Sequence, residues 1–356
     1  MPNADWKNEK QTAKSNKQFE KKLKFIIIIF MKKQKSKKQE LSEEQITFIS
    51  FLITVGFVTV FVLFSYFSTH PFVKDIIAEK IAEYGKEGEL DFPFGIAITQ
   101  DNIYISNINS NEIKKFKIID DKNWELVLKW GKEGEAPGEF NQPSGICLDK
   151  YGNLFVADSY NGRIQKFDAN GKYITEINYS TTGFWRPRNV FIGLQDFIYV
   201  ANTGKSNMCQ FNYNGKMLYD FVDMKGEVFG ITQDYDGFIY VANSGTKTID
   251  ILSDYLVLKR KVKVPAYRQN LDLWPMLAIN SHKKIYAVSQ YEQQIWVYKI
   301  TEDKKGRNLK LTGIIKNDKN GKPLFSNPVG IAIDGNNNIY ITEKYKNKVV
   351  KIREIM

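Results

Sequence analysis

Residues 142–167 read QPSGICLDKYGNLFVADSYNGRIQKF, and this stretch decides the fold. A run of apolar residues precedes the turn Tyr151-Gly152-Asn153, a second run follows it, and a third run follows the polar residues at 159–162. Runs of this length that are bounded by Gly, Asn and Asp are typical of short β-strands. Strands joined by such tight turns pair in antiparallel order. The stretch therefore predicts a small antiparallel sheet.

Five further segments align with this stretch. The six segments begin at Phe92, Gln142, Arg186, Glu227, Leu273 and Asn327. Their equivalent positions, Gly95, Gly145, Asn189, Gly230, Met276 and Gly330, are spaced by 50, 44, 41, 46 and 54 residues. Connecting stretches such as 124–130 and 173–177 supply a fourth, outer strand to each unit. Each unit is therefore predicted to be a four-stranded sheet.

One such sheet cannot bury both of its apolar faces. Six sheets arranged around an axis can bury them, and closing the ring removes the exposed edges that would otherwise pair with other chains. The repeat thus predicts an all-β protein with a six-bladed β-propeller.

The last unit reaches the end of the sequence without an outer strand of its own. Residues 80–89, KIAEYGKEGE, resemble residues 128–135, LKWGKEGE, which belong to an outer strand. We therefore expect the propeller to span residues 78–356, with an N-terminal strand that completes the sixth blade.

Residues 46–67, ITFISFLITVGFVTVFVLFSYF, contain no charge over 22 positions. As a helix they would extend for about 33 Å, enough to cross a hydrocarbon core of about 30 Å. A cleaved signal peptide is the alternative, but its apolar region is shorter, at about 7–15 residues, and is followed by small residues. Here Ser68, Thr69, His70, Pro71 and Phe72 follow. The pattern favours a single transmembrane helix.

Twelve lysines against six acidic residues in 1–47 account for much of the formal charge of +11. The lysines at 32, 33, 35, 37 and 38 lie close to the apolar segment, and positive residues of this kind stay in the cytoplasm. We therefore predict a basic cytoplasmic tail at 1–45, a transmembrane helix at 46–67, a linker at 68–77 and a propeller outside the cytoplasm. Met1 and Met31 are both plausible translation starts.

The runs PSGICLD at 143–149, GNLFVAD at 152–158 and NGRIQKF at 161–167, with Gly171, closely resemble the NHL repeat. Weaker copies cover residues 92–356. The resemblance implies a six-bladed NHL propeller, a fold shared by protein-binding modules, RNA-binding domains, lyases and hydrolases. Function must therefore be argued from particular residues.

Enzymes of similar fold imply metal sites that this sequence does not supply. A propeller resembling the peptide-amidating lyases would hold zinc through several histidines in its channel, whereas this chain has only His70 and His282. A resemblance to propeller lactonases would imply Glu, Asn and Asp around one cation, and no such set is marked here. We expect no metal or other cofactor and assign no catalytic residue.

Polar residues that recur from blade to blade are interpreted as turn residues. Asn107, Asp158, Asn202 and Asn243 close the second strand of four units, where Asx side chains commonly bond to backbone groups. The hairpin residues Asp149, Asp234, Asp236 and Asp334 lack the spacing of a calcium loop.

The candidate site lies at the mouth of the channel. Blades three and five lack the repeated glycine, and charged residues replace the usual polar ones at the start of the inner strands of blades three and four. The candidate ligand-binding residues are Arg186, Arg188, Asn189, Glu227 and Arg268. Ordinary drift of surface residues explains the same pattern, so both interpretations stay open here.

The predicted function is that of a membrane-anchored binding module for a protein or a small molecule. A propeller hydrolase or lyase with an active site at the channel mouth is the alternative. A pI near 9.2 suggests RNA binding, but the basic residues concentrate in the tail and the predicted location opposes it. We expect no nucleic-acid partner.

Overall fold

The repeated apolar runs form strands throughout the described part of the chain. The computed structural model describes residues 73–179, 183–221, 224–264 and 275–355. Within them, twenty-four strands form six antiparallel sheets of four strands each. The prediction of an all-β six-bladed propeller is confirmed.

The first half of the ring holds three blades. Its strands, in chain order, are β1 (Ala78–Tyr84); β2 (Pro93–Ile98), β3 (Asn102–Asn107), β4 (Glu112–Ile118) and β5 (Trp124–Trp130) in blade one; β6 (Pro143–Leu148), β7 (Leu154–Asp158), β8 (Arg163–Phe167) and β9 (Tyr173–Asn178) in blade two; and β10 (Pro187–Ile192), β11 (Ile198–Asn202), β12 (Asn207–Phe211) and β13 (Met217–Phe221) in blade three. A single 3-10 turn at Thr203–Lys205 joins β11 to β12.

The second half holds the other three blades. Its strands are β14 (Val228–Gln233), β15 (Ile239–Asn243), β16 (Thr248–Leu252) and β17 (Leu258–Lys263) in blade four; β18 (Leu277–Ile279), β19 (Lys284–Ser289), β20 (Gln294–Asp303) and β21 (Gly306–Ile315) in blade five; and β22 (Pro328–Ile333), β23 (Ile339–Glu343) and β24 (Lys348–Glu354) in blade six.

The outer strand of blade six is β1, the segment that the sequence analysis assigned to that place. It pairs antiparallel with β24, from Ala78 opposite Glu354 to Tyr84 opposite Val349. The two ends of the ring are therefore joined by main-chain hydrogen bonds, and the edges of β1 and β24 that face each other are paired.

The hydrophobic core is divided into six clusters, and each lies mainly between two neighbouring blades. Phe155 and Val190, for example, meet between blades two and three, and Tyr199 and Val241 meet between blades three and four. Burial of each such side chain contributes about 1.5–3 kcal/mol. The blades thus depend on their neighbours for most of their burial.

Glycines let the inner strands approach one another around the axis. A Cβ added at Gly95 would lie 2.4 Å from the carbonyl oxygen of Ser144 in blade two, and one at Gly330 would lie 2.0 Å from that of Phe94 in blade one. No real side chain tolerates such distances. Asn189 and Met276, which stand at the equivalent positions of blades three and five, must therefore keep the next blade further away.

Side-chain hydroxyls also bridge neighbouring blades near the axis, each donating to a carbonyl of the next inner strand. The bridges are Ser106 to Ser144 at 2.5 Å, Ser159 to Pro187 at 2.6 Å, Thr203 to Val228 at 2.6 Å and Thr342 to Phe94 at 2.9 Å. These hydrogen bonds fix the positions of the inner strands relative to one another along the propeller axis, where the candidate site lies.

Residues 73–356 form a compact unit with its own core. Over the described residues, no helix combines the length and the apolar character needed to cross a membrane. The segment at 46–67 lies outside the described residues, so the transmembrane helix stays a prediction.

Candidate ligand pocket

The central channel is a mostly apolar cavity of about 290 Å³ between the six inner strands. Glycine, alanine and branched aliphatic residues form most of its wall, and Asn189 and Thr232 are polar members. His282 lies instead in the turn between β18 and β19. Across the described residues, no three His, Cys, Asp or Glu side chains are grouped to hold a metal ion. The residues of the channel do not fit the zinc of the amidating lyases.

A separate pocket of about 360 Å³ lies where β10 and β14 begin. It brings together three of the five residues predicted to bind a ligand: Arg186 and Arg188 from blade three and Glu227 from blade four. The lining residues are Trp185, Arg186, Arg188, Thr203, Gly204, Glu227 and Phe229.

A missing side chain explains why the pocket is open. In blade two the turn after β7 carries Tyr160, whose ring lies beside the guanidinium groups of Arg186 and Arg188, 4.9 and 5.6 Å from the two guanidinium carbons. The equivalent position after β11 is Gly204, because Asp158 and Asn202 occupy the same register in the two blades. No ring therefore fills the corresponding space beside Glu227.

Arg188 forms the deep part of the pocket. It is 9% exposed, and its Nη1 donates a hydrogen bond to Ser144 Oγ at 3.3 Å. Burial lowers the pKa of Arg188, while Tyr160 and the carboxylate of Glu227 oppose that shift. An arginine stays charged even so, because its pKa starts far above neutrality. The pocket thus has a buried positive charge at its base.

Arg186 and Glu227 are exposed at the rim. Arg186 has a φ of +50°, the left-handed conformation that Phe92 and Gln142 share at the same place in blades one and two. Among the described residues, Arg186 pairs with no carboxylate, and the carboxylate of Glu227 accepts no hydrogen bond. The rim of the pocket therefore offers one cationic and one anionic group to a ligand, in addition to the buried guanidinium of Arg188 at its base.

Trp185 supplies an aromatic wall, with 60% of its surface exposed. Its backbone N–H donates to Asn202 Oδ1 at 2.8 Å, and its carbonyl accepts from the Gly204 N–H at 2.9 Å. A Cβ on Gly204 would lie 2.9 Å from the indole ring. Gly204 therefore both opens the pocket and allows Trp185 to pack over the turn.

The other two predicted residues do not join this group. Asn189 lies in the wall of the central channel, where its Oδ1 would be 2.3 Å from a Cβ at Gly145. Arg268 lies outside the described residues. Sequence reasoning missed Trp185, Gly204 and Phe229. One signal was present: blades two, five and six carry Tyr160, Tyr291 and Tyr345 where blade three has Gly204.

The recurring Asx residues are turn residues, as interpreted from the sequence. The side chain of each accepts a hydrogen bond from a backbone N–H; the pairs are Asn107 with Asp91, Asp158 with Asn141, Asn202 with Trp185 and Asn243 with Thr246. In the hairpins, Asp149, Asp234 and Asp334 each accept two backbone N–H groups.

Comparison with known proteins supports the repeat assignment. A family model for the NHL repeat matches residues 140–167. A probable peptidyl-alpha-hydroxyglycine alpha-amidating lyase of Caenorhabditis elegans is 35% identical over 106 residues, which are 28% of this chain and 29% of that protein. The peptidylglycine alpha-amidating monooxygenase of Rattus norvegicus is 26% identical over 196 residues, 53% of this chain and 16% of that protein. The chain thus spans less than a third of either relative.

Two solved structures of lyases are similar to this chain in fold. A virginiamycin B lyase from Staphylococcus aureus has a TM-score of 0.55 at 14% identity, covering 79% of this chain and all of that one. A streptogramin B lyase has a TM-score of 0.56 at 13% identity, covering 79% of this chain and 98% of that one. Such identities show the fold alone. With the repeat match and the six sheets, the chain is a six-bladed β-propeller of the NHL-repeat type.

Proposed function

We propose that the propeller is a noncatalytic binding module whose pocket between blades three and four takes a small ligand with an acidic group. The observation that supports this is the placement at one pocket of Arg186, which pairs with no carboxylate among the described residues, and of Glu227, which lies near the buried charge of Arg188 and whose carboxylate accepts no hydrogen bond among them. The acidic group of the ligand pairs with Arg186, and a cationic or N–H group pairs with Glu227.

The size and chemistry of the pocket suit such a ligand. Small-molecule sites occupy about 300–1,000 Å³ and combine apolar walls with a few polar groups. The cavity of about 360 Å³ is at the small end of this range, and Trp185 and Phe229 provide apolar surface. The planar guanidinium of arginine pairs with a carboxylate through two parallel hydrogen bonds. A carboxylate is therefore the acidic group that the pocket fits best.

The names of the sequence relatives point to peptides. The printed name of the Caenorhabditis elegans relative gives a peptidyl substrate. A short peptide with free ends carries both charges that the pocket would pair. We therefore propose the end of a peptide as the ligand of this propeller.

Calorimetric titration of the isolated propeller, residues 73–356, with dipeptides tests this proposal. We expect dipeptides with free ends to bind, and C-terminal amidation to weaken binding about tenfold or more, since a hydrogen bond to a charged group contributes about 1.5–3 kcal/mol. Arg186→Gln should weaken binding of the free dipeptide by a similar factor, whereas Arg353→Gln, which removes the same charge from an exposed side chain outside the pocket, should not. Absence of dipeptide binding, or equal binding by Arg186→Gln, would overturn the proposal.

We also propose that residues 46–67 anchor the protein in the membrane, with the propeller outside the cytoplasm. The uncharged length of this segment and the lysines before it support this topology. Protease added to intact cells or spheroplasts should then digest the propeller without detergent. Protection of the propeller until detergent is added would contradict the topology.

A propeller lyase is the second candidate, favoured by the sequence match to an amidating lyase. The two functions differ in what happens to a bound peptide. Incubation of the propeller with a peptidyl-alpha-hydroxyglycine separates them, because a binding module returns the peptide unchanged, whereas a lyase breaks the bond between the amide nitrogen and the hydroxylated carbon and releases a peptide amide and glyoxylate. Sustained turnover that Arg186→Gln abolishes would replace the binding proposal with the enzymatic one.

A further inference from the structure

Blade five carries a hairpin that is longer than those of the other blades. Its strands β20 and β21 have ten residues each, whereas the third and fourth strands of the other blades have five to seven. At about 3.4 Å per residue, the extra length projects the turn at 303–306 by about 10 Å or more. The turn therefore reaches beyond the ring beside β17, the outer strand of blade four.

Two arginines hold this hairpin against blade four. Arg260 on β17 donates two parallel hydrogen bonds to Asp303, at 2.6 and 2.7 Å. Arg307 on β21 reaches the β14–β15 turn, with its Nε 3.3 Å from Asp234 and its Nη2 2.5 Å from Asp236, and packs over the ring of Phe238. Contacts of this kind on both strands fix the position of the hairpin tip.

The carboxylate of Asp303 is fully used by these contacts. Besides Arg260, it accepts hydrogen bonds from the Lys305 N–H at 2.8 Å and from Asn308 Nδ2 at 3.0 Å. The hydrogen bond from Arg260 is the largest cause holding the pKa of Asp303 far below its usual value. Asp303 thus cannot neutralise the lysines around it as well.

The hairpin and β17 flank an open groove of about 620 Å³ lined by Lys259, Arg260, Lys261, Asp303, Lys304 and Lys305. Lys261 pairs with Asp250 at 2.8 Å. The side chains of Lys259, Lys304 and Lys305 are exposed and meet no acidic group among the described residues. The groove therefore concentrates three uncompensated positive charges.

Protection of a sheet edge explains only part of this arrangement. Lysines on outer strands discourage pairing with other chains, and this accounts for Lys259 and Lys261 on β17. It does not account for the lengthened hairpin, which brings Lys304 and Lys305 to the same groove. Nor does it account for Arg260, which pairs with Asp303, the one acidic residue among those that line the groove. The hairpin, which Arg260 and Arg307 hold in place, instead has the geometry of a preformed anion-binding site.

We infer that this groove binds phosphate groups, either of a soluble polyphosphate or of a lipid headgroup. Lysine ammonium groups are compact cations with three donors each, and they bind the clustered oxygens of phosphate as point charges. The arginine fork that would favour a carboxylate is already occupied by Asp303. The inference is independent of the pocket between blades three and four.

Calorimetric titration of the isolated propeller with inorganic tripolyphosphate tests the inference. The triple variant Lys259→Gln/Lys304→Gln/Lys305→Gln should bind at least tenfold more weakly. The control Lys117→Gln/Lys172→Gln/Lys216→Gln removes the same charge from exposed positions on blades one to three and should bind as the unmodified propeller does. Raising the salt concentration should weaken binding, since exposed charges are screened.

A second arm distinguishes the two sources of phosphate. Cosedimentation with phosphatidylglycerol vesicles that tripolyphosphate displaces, and that phosphatidylcholine vesicles do not reproduce, would assign the groove to lipid headgroups. Binding of tripolyphosphate without cosedimentation would assign it to a soluble anion. No measurable binding of tripolyphosphate, or equal losses in the two triple variants, would overturn the inference.

Discussion

The ring of Tyr160 in blade two lies 4.9 Å from the guanidinium carbon of Arg186 in blade three. The contact joins a turn of one blade to the beginning of the inner strand of the next. Because Gly204 stands at the equivalent position of blade three, the next junction has no such ring. The same arrangement of turn and inner strand thus holds a tyrosine ring between blades two and three and leaves an open pocket between blades three and four.

Tyr160→Ala should reduce the free energy of unfolding of the propeller by about 0.5–2 kcal/mol. The ring attracts two arginine groups, and each cation–π contact contributes about 0.5–1 kcal/mol. Tyr160→Phe keeps the ring, so its free energy of unfolding should fall by less than that of Tyr160→Ala. Urea unfolding measures both variants, and equal losses would show that the ring contributes nothing.

Gly95→Ala should destabilise the ring by about 1–3 kcal/mol, because the new Cβ would lie 2.4 Å from the Ser144 carbonyl and would push blades one and two apart. Gly335→Ala is the matched control, since a Cβ there has no neighbour within 4 Å. Thermal unfolding compares the two. A melting temperature that falls equally in both variants would refute close packing at the axis.

Arg163→Ala should cost about 3–5 kcal/mol, because removing one member of a buried ion pair leaves the other charge uncompensated. Arg163 Nε lies 2.9 Å from Asp158 Oδ2, and its Nη2 donates to the carbonyls of Ala136 and Glu139. Arg353→Ala, on an exposed side chain, is the control and should change much less. Urea unfolding distinguishes them, and similar losses would contradict a structural role for Arg163.

The stability of the propeller should decline as the pH rises from about 10 to 12. Partial burial and the hydrogen bond to Asp149 raise the pKa of Tyr213 to about 12, whereas an unfolded tyrosine has a pKa of about 10. In this interval the unfolded chain loses the proton that the folded chain keeps, so alkali favours unfolding. Below about pH 10 Tyr213 keeps its proton in both the folded and the unfolded chain, so its contribution to the free energy of unfolding is constant.

Tyr213→Phe removes this group and isolates its effect. The difference in unfolding free energy between the unmodified propeller and this variant should be constant below about pH 10 and should shrink toward pH 12. Urea unfolding at several pH values measures it. A difference that stays constant up to pH 12 would contradict the raised pKa.

Much of the fold could be predicted because strand period and turn chemistry are local. The alignment of Met276 with Gly95 was correct, since Leu277 pairs with Ala287 as Ile96 pairs with Ile105. The extra length of β20 and β21 was not foreseen, because residues 301–308, TEDKKGRN, contain no apolar side chain whose alternation would indicate a strand.

The candidate site was only partly predictable. Arg186, Arg188 and Glu227 stood out because they break a repeated pattern, but their grouping depends on contacts between blades that no local pattern encodes. Asn189 was placed with them because it replaces the repeated glycine in the same strand, β10, yet side chains alternate in direction along a strand and Asn189 faces the channel. Gly204 was overlooked because it contributes by the absence of a side chain.

A crystal structure of the isolated propeller with a bound dipeptide would test the central claim most directly. The account predicts the dipeptide between blades three and four, with its carboxylate within hydrogen-bonding distance of Arg186 and its amino group near Glu227. A dipeptide bound in the central channel, or outside the ring, would contradict it.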